Sequence, residues 1–129
     1  MGVVDVGSME SFGFGNDPIV IRKHIAGIQG GKVLDVTGFT EEYIRAGHVI
    51  IHDTNKDVYK PMPVKDGNYD TLPSNCEYVG VAVATKSVKE PFVAIMYNGE
   101  VNDVASPFSI ESIKAALKTA VPTLVFKHD

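Results

Sequence analysis

From Ile19 to Phe126 the apolar residues come in short runs, each closed by glycine, proline, asparagine or aspartate, and this punctuation limits the fold more than any other feature. Ile19-Val20-Ile21 and Ile25 flank the polar Arg22-Lys23-His24, Lys32 to Val36 follows Gly30-Gly31, and His48 to His52 follows Gly47. Tyr78 to Ala84 and Phe92 to Tyr97 are the strongest strand candidates, because valine, isoleucine and aromatic side chains suit a pleated surface. Asp66-Gly67-Asn68, Pro73-Ser74-Asn75 and Asn98-Gly99 are turn signals between them. Asn98-Gly99 fits a type I′ hairpin turn, in which both central residues need positive φ. Strands spaced this closely, with no helical period between them, predict a mainly β (α+β) chain: a small antiparallel β-barrel or sandwich-like domain.

One helix breaks the pattern near the C-terminus. Ile110, Ile113, Ala116, Leu117 and Ala120 form an apolar stripe at helical spacing, with Lys114 and Lys118 outside it. Ser109 or Ser106 can cap its start, Pro107 is tolerated in the first turn, and Pro122 ends it before a last strand at Thr123 to Phe126. A weaker helical turn is expected over Thr40 to Ala46, stopped by Gly47. Tyr78 to Ala84 is apolar on both faces, which fits either a central strand of one domain or a strand covered by its own core and a neighbour. The 129 residues are enough for one core. Residues 19–129 form that domain, and residues 1–18 read as an extended arm. The arm holds Gly2, Gly7, Gly13 and Gly15 with Phe12 and Phe14, keeps no regular period, and closes at Asp17-Pro18. Glycine-rich backbone with exposed aromatics gains order only against a neighbour; the alternative is a disordered leader.

Charge and composition remove several function classes. Twelve basic against sixteen acidic residues, with no basic run, argue against nucleic-acid binding. A lone cysteine, Cys76, forbids an intrachain disulfide and a four-cysteine zinc site. The first fifteen residues lack the basic and apolar regions of a secretory signal, Val6 breaks the myristoylation pattern after Met1-Gly2, and Tyr78 to Ala84 is too short to span a bilayer. A soluble chain made in a reducing cytoplasm is expected.

The motifs that would carry chemistry fail one by one. His48 and His52 share a face if their segment is a strand, but stand about 13 Å apart at about 3.3 Å per residue. One zinc ion needs each ligand within about 2.1 Å, so the two are expected to be edge histidines. Gly31-Lys32 lacks the glycine and hydroxyl of a phosphate loop, since Ala26 and Val33 stand there, and Pro18 replaces the last glycine of a dinucleotide fingerprint after Gly13-Phe14-Gly15. Cys76 sits in an expected polar loop with no basic neighbour to activate it. Val58 occupies the glycine position of a calcium loop begun at Asp53. No enzyme, metal or cofactor is expected.

The order Arg45-Ala46-Gly47-His48-Val49-Ile50, Asp53-Thr54, Tyr59-Lys60-Pro61-Met62-Pro63-Val64, Tyr78-Val79-Gly80-Val81-Ala82-Val83, Tyr97-Asn98-Gly99-Glu100-Val101-Asn102 and Ile113-Lys114-Ala115-Ala116-Leu117 resembles the decoration proteins of tailed-phage heads and is similar to head-fibre proteins. The resemblance covers about two-thirds of the chain and leaves residues 1 to 44 unaligned. It implies a non-enzymatic virion protein, made in the bacterial host, that sits as a homotrimer on the outer capsid and bridges major capsid subunits. A distal fibre or host-surface partner is a further implication; nucleic acid and membrane are not. The arm residues Phe12, Phe14, Asp17, Pro18 and Ile19 are the expected capsid contacts, through aromatic anchoring and strand pairing. A second reading is a small-molecule or carbohydrate-binding β module, with Tyr43, Tyr59, Tyr69 and Tyr78 lining a concave face.

Overall fold

The protein is described by a computed structural model covering residues 17–127. A single helical turn, α1 (Asp17–Val20), runs directly into β1 (Ile21–Gly27). Short β2 (Lys32–Val33) and β3 (Tyr43–Ile44) precede β4 (Val49–Asp53) and β5 (Val58–Pro61). A small hairpin of β6 (Val64–Lys65) and β7 (Asn68–Tyr69) follows, then β8 (Cys76–Ala82), β9 (Lys86–Ser87), β10 (Phe92–Val93) and β11 (Ile95–Asn102). The chain closes with α2 (Lys114–Ala120) and β12 (Leu124–Lys127). It is therefore mainly β, with one C-terminal helix beyond the opening turn.

Six strands form the main sheet, in the order β1-β11-β8-β4-β5, with β12 beside the second half of β11. Among the described residues the sheet does not close, and β1 and β5 stand at its two ends. Its two faces are both covered. Val49, Ile51, Val81, Met96 and Val101 meet Ile113, Leu117 and Val121 from the α2 side. Ile50, Ala82 and Ile95 meet Leu34, Ile44 and Val93 from the short ribbons on the other side. The alternation Val49-Ile50-Ile51 serves both clusters because successive side chains of a strand point to opposite faces. Tyr78 and Val81 pack with the first cluster and Val79 and Ala82 with the second, so β8 is a central strand covered on both faces by its own chain.

Several local expectations give way to longer-range contacts. Asn98-Gly99 makes no hairpin: it lies inside β11, and a Cβ on Gly99 would stand 2.2 Å from the carbonyl oxygen of Lys23 on β1. That glycine serves close strand approach. The positive-φ pair that a type I′ turn requires occurs at Asp66 (54°) and Gly67 (77°), between β6 and β7. Thr40 to Ala46 contains no helical turn. Ile44 and Ala46 are buried and Arg45 is exposed, a period of two, and Tyr43–Ile44 pairs with Lys86–Ser87. Only Lys32–Val33 of the expected 32–36 strand pairs, with β10. The helix starts at Lys114, with Ile113 at its N-cap and no side-chain cap, so neither Ser106 nor Ser109 caps it. Ile110, Ile113 and Leu117 of its stripe are buried, whereas Ala116 and Ala120 are exposed. The last strand pairs parallel to β11 rather than antiparallel, because the intervening α2 carries the chain back across the sheet before it re-enters.

Candidate functional site

Apolar side chains are left in water on α1, on β1 and in the β2–β10 ribbon. Ile19, Ile25 and Phe92 each keep 55% of their accessible surface, and Val33 keeps 67%. Val33 and Phe92 are direct cross-strand partners in the β2–β10 ribbon, so their exposed groups adjoin and form one patch. Beside Phe92 lies an open cleft of about 660 Å³ lined by Ile28, Ala94 and Ile95, with His24 and Lys86 as its ionisable groups. The cleft shares His24 and Ala26 with β1, the strand into which α1 leads.

Of the expected capsid contacts, Phe12 and Phe14 lie outside the described residues. Asp17 and Pro18 belong to the helical turn α1, and Ile19 within that turn is exposed. The Val33–Phe92 patch escaped the sequence reading because each ribbon strand is two residues long, too short for any period to separate an outward from an inward face.

The two histidines diverge sharply. His48 is no edge residue: it is fully buried just ahead of β4. Three rings enclose its imidazole edge-on, Tyr69 at 5.2 Å, Phe39 at 5.3 Å and Phe108 at 5.6 Å between centroids. Its Nε2 donates to the Met62 carbonyl oxygen at 2.9 Å, an acceptor that fixes the proton on Nε2. Nδ1 then carries a buried lone pair with no hydrogen-bond partner among the described residues. Burial pushes the imidazole pKa from 6.5 down to about 4, against the opposing pull of the Met62 hydrogen bond. The neighbouring Tyr69 hydroxyl accepts from the Val49 backbone N–H at 3.1 Å, and burial raises its pKa. The imidazole thus ties the loop of Phe39, the β6–β7 hairpin and the segment of Phe108 to the start of β4.

His52 lies half-buried on β4, with Nε2 at 2.8 Å from the Asp57 carboxylate and Nδ1 at 3.6 Å from that of Glu77. Its ring rests against Tyr59 at 4.6 Å, and the Lys32 ammonium lies 5.2 Å from the Tyr59 ring centre. Strand register explains this cluster, since Tyr59 and Glu77 are the direct neighbours of His52 on β5 and β8. Cys76 opens β8 rather than sitting in a loop. Its thiol pKa is raised, first by burial and then by the Asp53 carboxylate, which disfavours the nucleophilic thiolate.

The four tyrosines do not form one concave face. Tyr69 and Tyr78 border one shallow cleft and Tyr59 another, while Tyr43 stacks with Arg45. Among the described residues no three His, Cys, Asp or Glu side chains are placed to hold a metal ion. No described helix is long and apolar enough to cross a membrane. Comparison of the chain with protein-family models, with curated proteins and with solved structures found no match.

Proposed function

We propose that this chain is a structural virion protein that binds the outer surface of an assembled phage capsid as a homotrimer and stabilises it, with the major capsid protein as its partner. The observation that carries the reading is the exposed apolar surface of Ile19 on α1, Ile25 on β1 and the Val33–Phe92 pair of the β2–β10 ribbon, next to a main sheet whose two faces are already covered from within. Adjoining exposed apolar groups such as Val33 and Phe92 mark a protein contact. A clamp of this kind needs a rigid core and a docking surface. By binding only the assembled lattice it shifts the assembly equilibrium by mass action. The arm of residues 1–18 supplies the reach, with Phe12 and Phe14 as anchors.

The test is co-sedimentation of the purified chain with empty phage shells, using the full chain and a variant lacking residues 2–16. The full chain pellets with the shells, while the deleted variant keeps its trimeric solution mass and stays in the supernatant. Full-strength pelleting of the variant would overturn the role of the arm. A chain that neither pellets nor forms trimers would overturn the capsid reading.

A further inference from the structure

A cavity of about 160 Å³ opens between the loop that follows β2 and the corner from β5 to β6, and it shares no residue with the Val33–Phe92 patch. Its apolar wall is Phe39, Pro61, Pro63, Val64 and Pro73. The three prolines have fixed φ and no N–H, so this wall is stiff and offers no donor at those positions. Backbone hydrogen bonds tie its supports together. Asp35 N–H donates to the Tyr59 carbonyl oxygen at 2.8 Å, Asp70 N–H to that of Pro63 at 2.8 Å, and Cys76 N–H to that of Pro73 at 3.3 Å. Phe39 N–H closes a turn on the Val36 carbonyl oxygen at 2.9 Å, with Gly38 at φ 80° in the third position. The Phe39 ring is held edge-on by buried His48. Walls fixed in this way need little ordering when a ligand enters.

Two opposite charges border the apolar wall, Asp35 on the loop and Lys60 on β5. Hydrogen bonds from Thr37, and after them the Lys60 and Lys56 charges, hold the Asp35 carboxyl below its ordinary value, so it is ionised at neutral pH. Lys60 is half-buried and makes no ion pair among the described residues. An ammonium in that position favours an anionic group, while the Asp35 carboxylate repels a plain anion and favours a cation. A molecule that carries both charges answers both. Size narrows the class further. At about 30 Å³ per water molecule the space equals about five waters, well under the about 300–1,000 Å³ of sites for drug-sized ligands. It admits one amino acid and excludes an oligosaccharide.

We propose that this cavity binds a free apolar α-amino acid of the size of valine or leucine. Its carboxylate meets the Lys60 ammonium, its ammonium meets the Asp35 carboxylate, and its side chain lies against Phe39 and the prolines. The site holds or fails independently of the capsid reading.

Amide NMR of the full chain, titrated with L-valine and L-leucine at neutral pH, tests the proposal. Saturable shifts are expected at the Thr37, Gly38, Phe39 and Val64 amides, with those of β1 unmoved. N-acetyl-L-leucine, which lacks the ammonium, and L-leucine amide, which lacks the carboxylate, each bind at least about tenfold more weakly, the worth of one charge-assisted hydrogen bond. Lys60→Met and Asp35→Asn lower leucine affinity by a similar factor, while unchanged amide shifts in β8 and β11 report that both variants are folded. Absence of a saturable shift with either amino acid would overturn the proposal. Equal binding of N-acetyl-L-leucine, or undiminished leucine binding by folded Lys60→Met, would also overturn it, by removing the charge pairing on which it stands.

Discussion

His48 makes the stability of this protein depend on pH in a way that can be worked out in advance. In the folded chain its imidazole pKa is about 4, against 6.5 in an unfolded chain, because burial penalises the charged form. Between those values the unfolded state binds more protons, so stability rises with pH across that window and falls as pH drops from 6.5 towards 4. At about 1.36 kcal/mol per pH unit the loss attributable to this one group is about 1 kcal/mol at pH 5.5, about 2–3 kcal/mol at pH 4.5 and about 3 kcal/mol once both states are protonated. Against a total stability of about 5–15 kcal/mol that is a large share. The groups facing the imidazole, Phe39, Phe108, Met62 and the Tyr69 hydroxyl, supply no negative charge to stabilise an imidazolium in this window. The assay is urea unfolding at pH 7.5, 5.5, 4.5 and 3.5 for the wild type and His48→Gln, whose amide can still donate to the Met62 carbonyl. Subtracting one from the other cancels carboxylates such as Asp35 and Asp53, whose pKa values are lowered by hydrogen bonds from neighbouring residues. The difference should follow the curve above. Parallel pH profiles would show that the folded imidazole takes up its proton without penalty, and would refute the argument from burial.

Four further outcomes are expected. Leu117→Ala empties the centre of the α2-side core, where Leu117 is fully buried, and should cost about 2–5 kcal/mol in urea unfolding. Gly80→Ala puts a Cβ 2.2 Å from the Met96 carbonyl oxygen, so β8 and β11 must part; the thermal midpoint should drop by the equivalent of about 1–3 kcal/mol or more. Tyr69→Phe leaves the buried Val49 N–H without its acceptor, at a cost of about 1–3 kcal/mol, and unchanged stability would mean that another group takes the proton. Val33→Ser with Phe92→Ser should leave stability within about 0.5 kcal/mol, because both are exposed, while weakening co-sedimentation with phage shells.

Much of the architecture is legible in the chain because it rests on local physics. Val49-Ile50-Ile51 and the 78–84 run carry strand propensity in each residue, the α2 stripe declares Ile110, Ile113 and Leu117 as core, and Asp66-Gly67 can adopt positive φ wherever it lies. The exposed Val33–Phe92 patch is far less legible. Nothing near Val33 in sequence says that its ribbon partner is Phe92, nor that the pair stays in water. A run such as Gly47-His48-Val49 fits an edge or a core equally well until Phe39, Tyr69 and Phe108 arrive from three other segments.

The sequence by itself determined the β class, the single C-terminal helix and the turn between β6 and β7, since propensity, periodicity and permitted dihedrals belong to neighbouring residues. The tertiary structure alone decided that Gly99 brings two strands together instead of turning the chain, that β12 returns parallel to β11, and that His48 is sealed in aromatics. It also placed β1 and β5 at the two ends of the main sheet's strand order among the described residues. Each of these depends on which distant segment completes a backbone hydrogen bond or excludes water, and no window of local sequence carries that information.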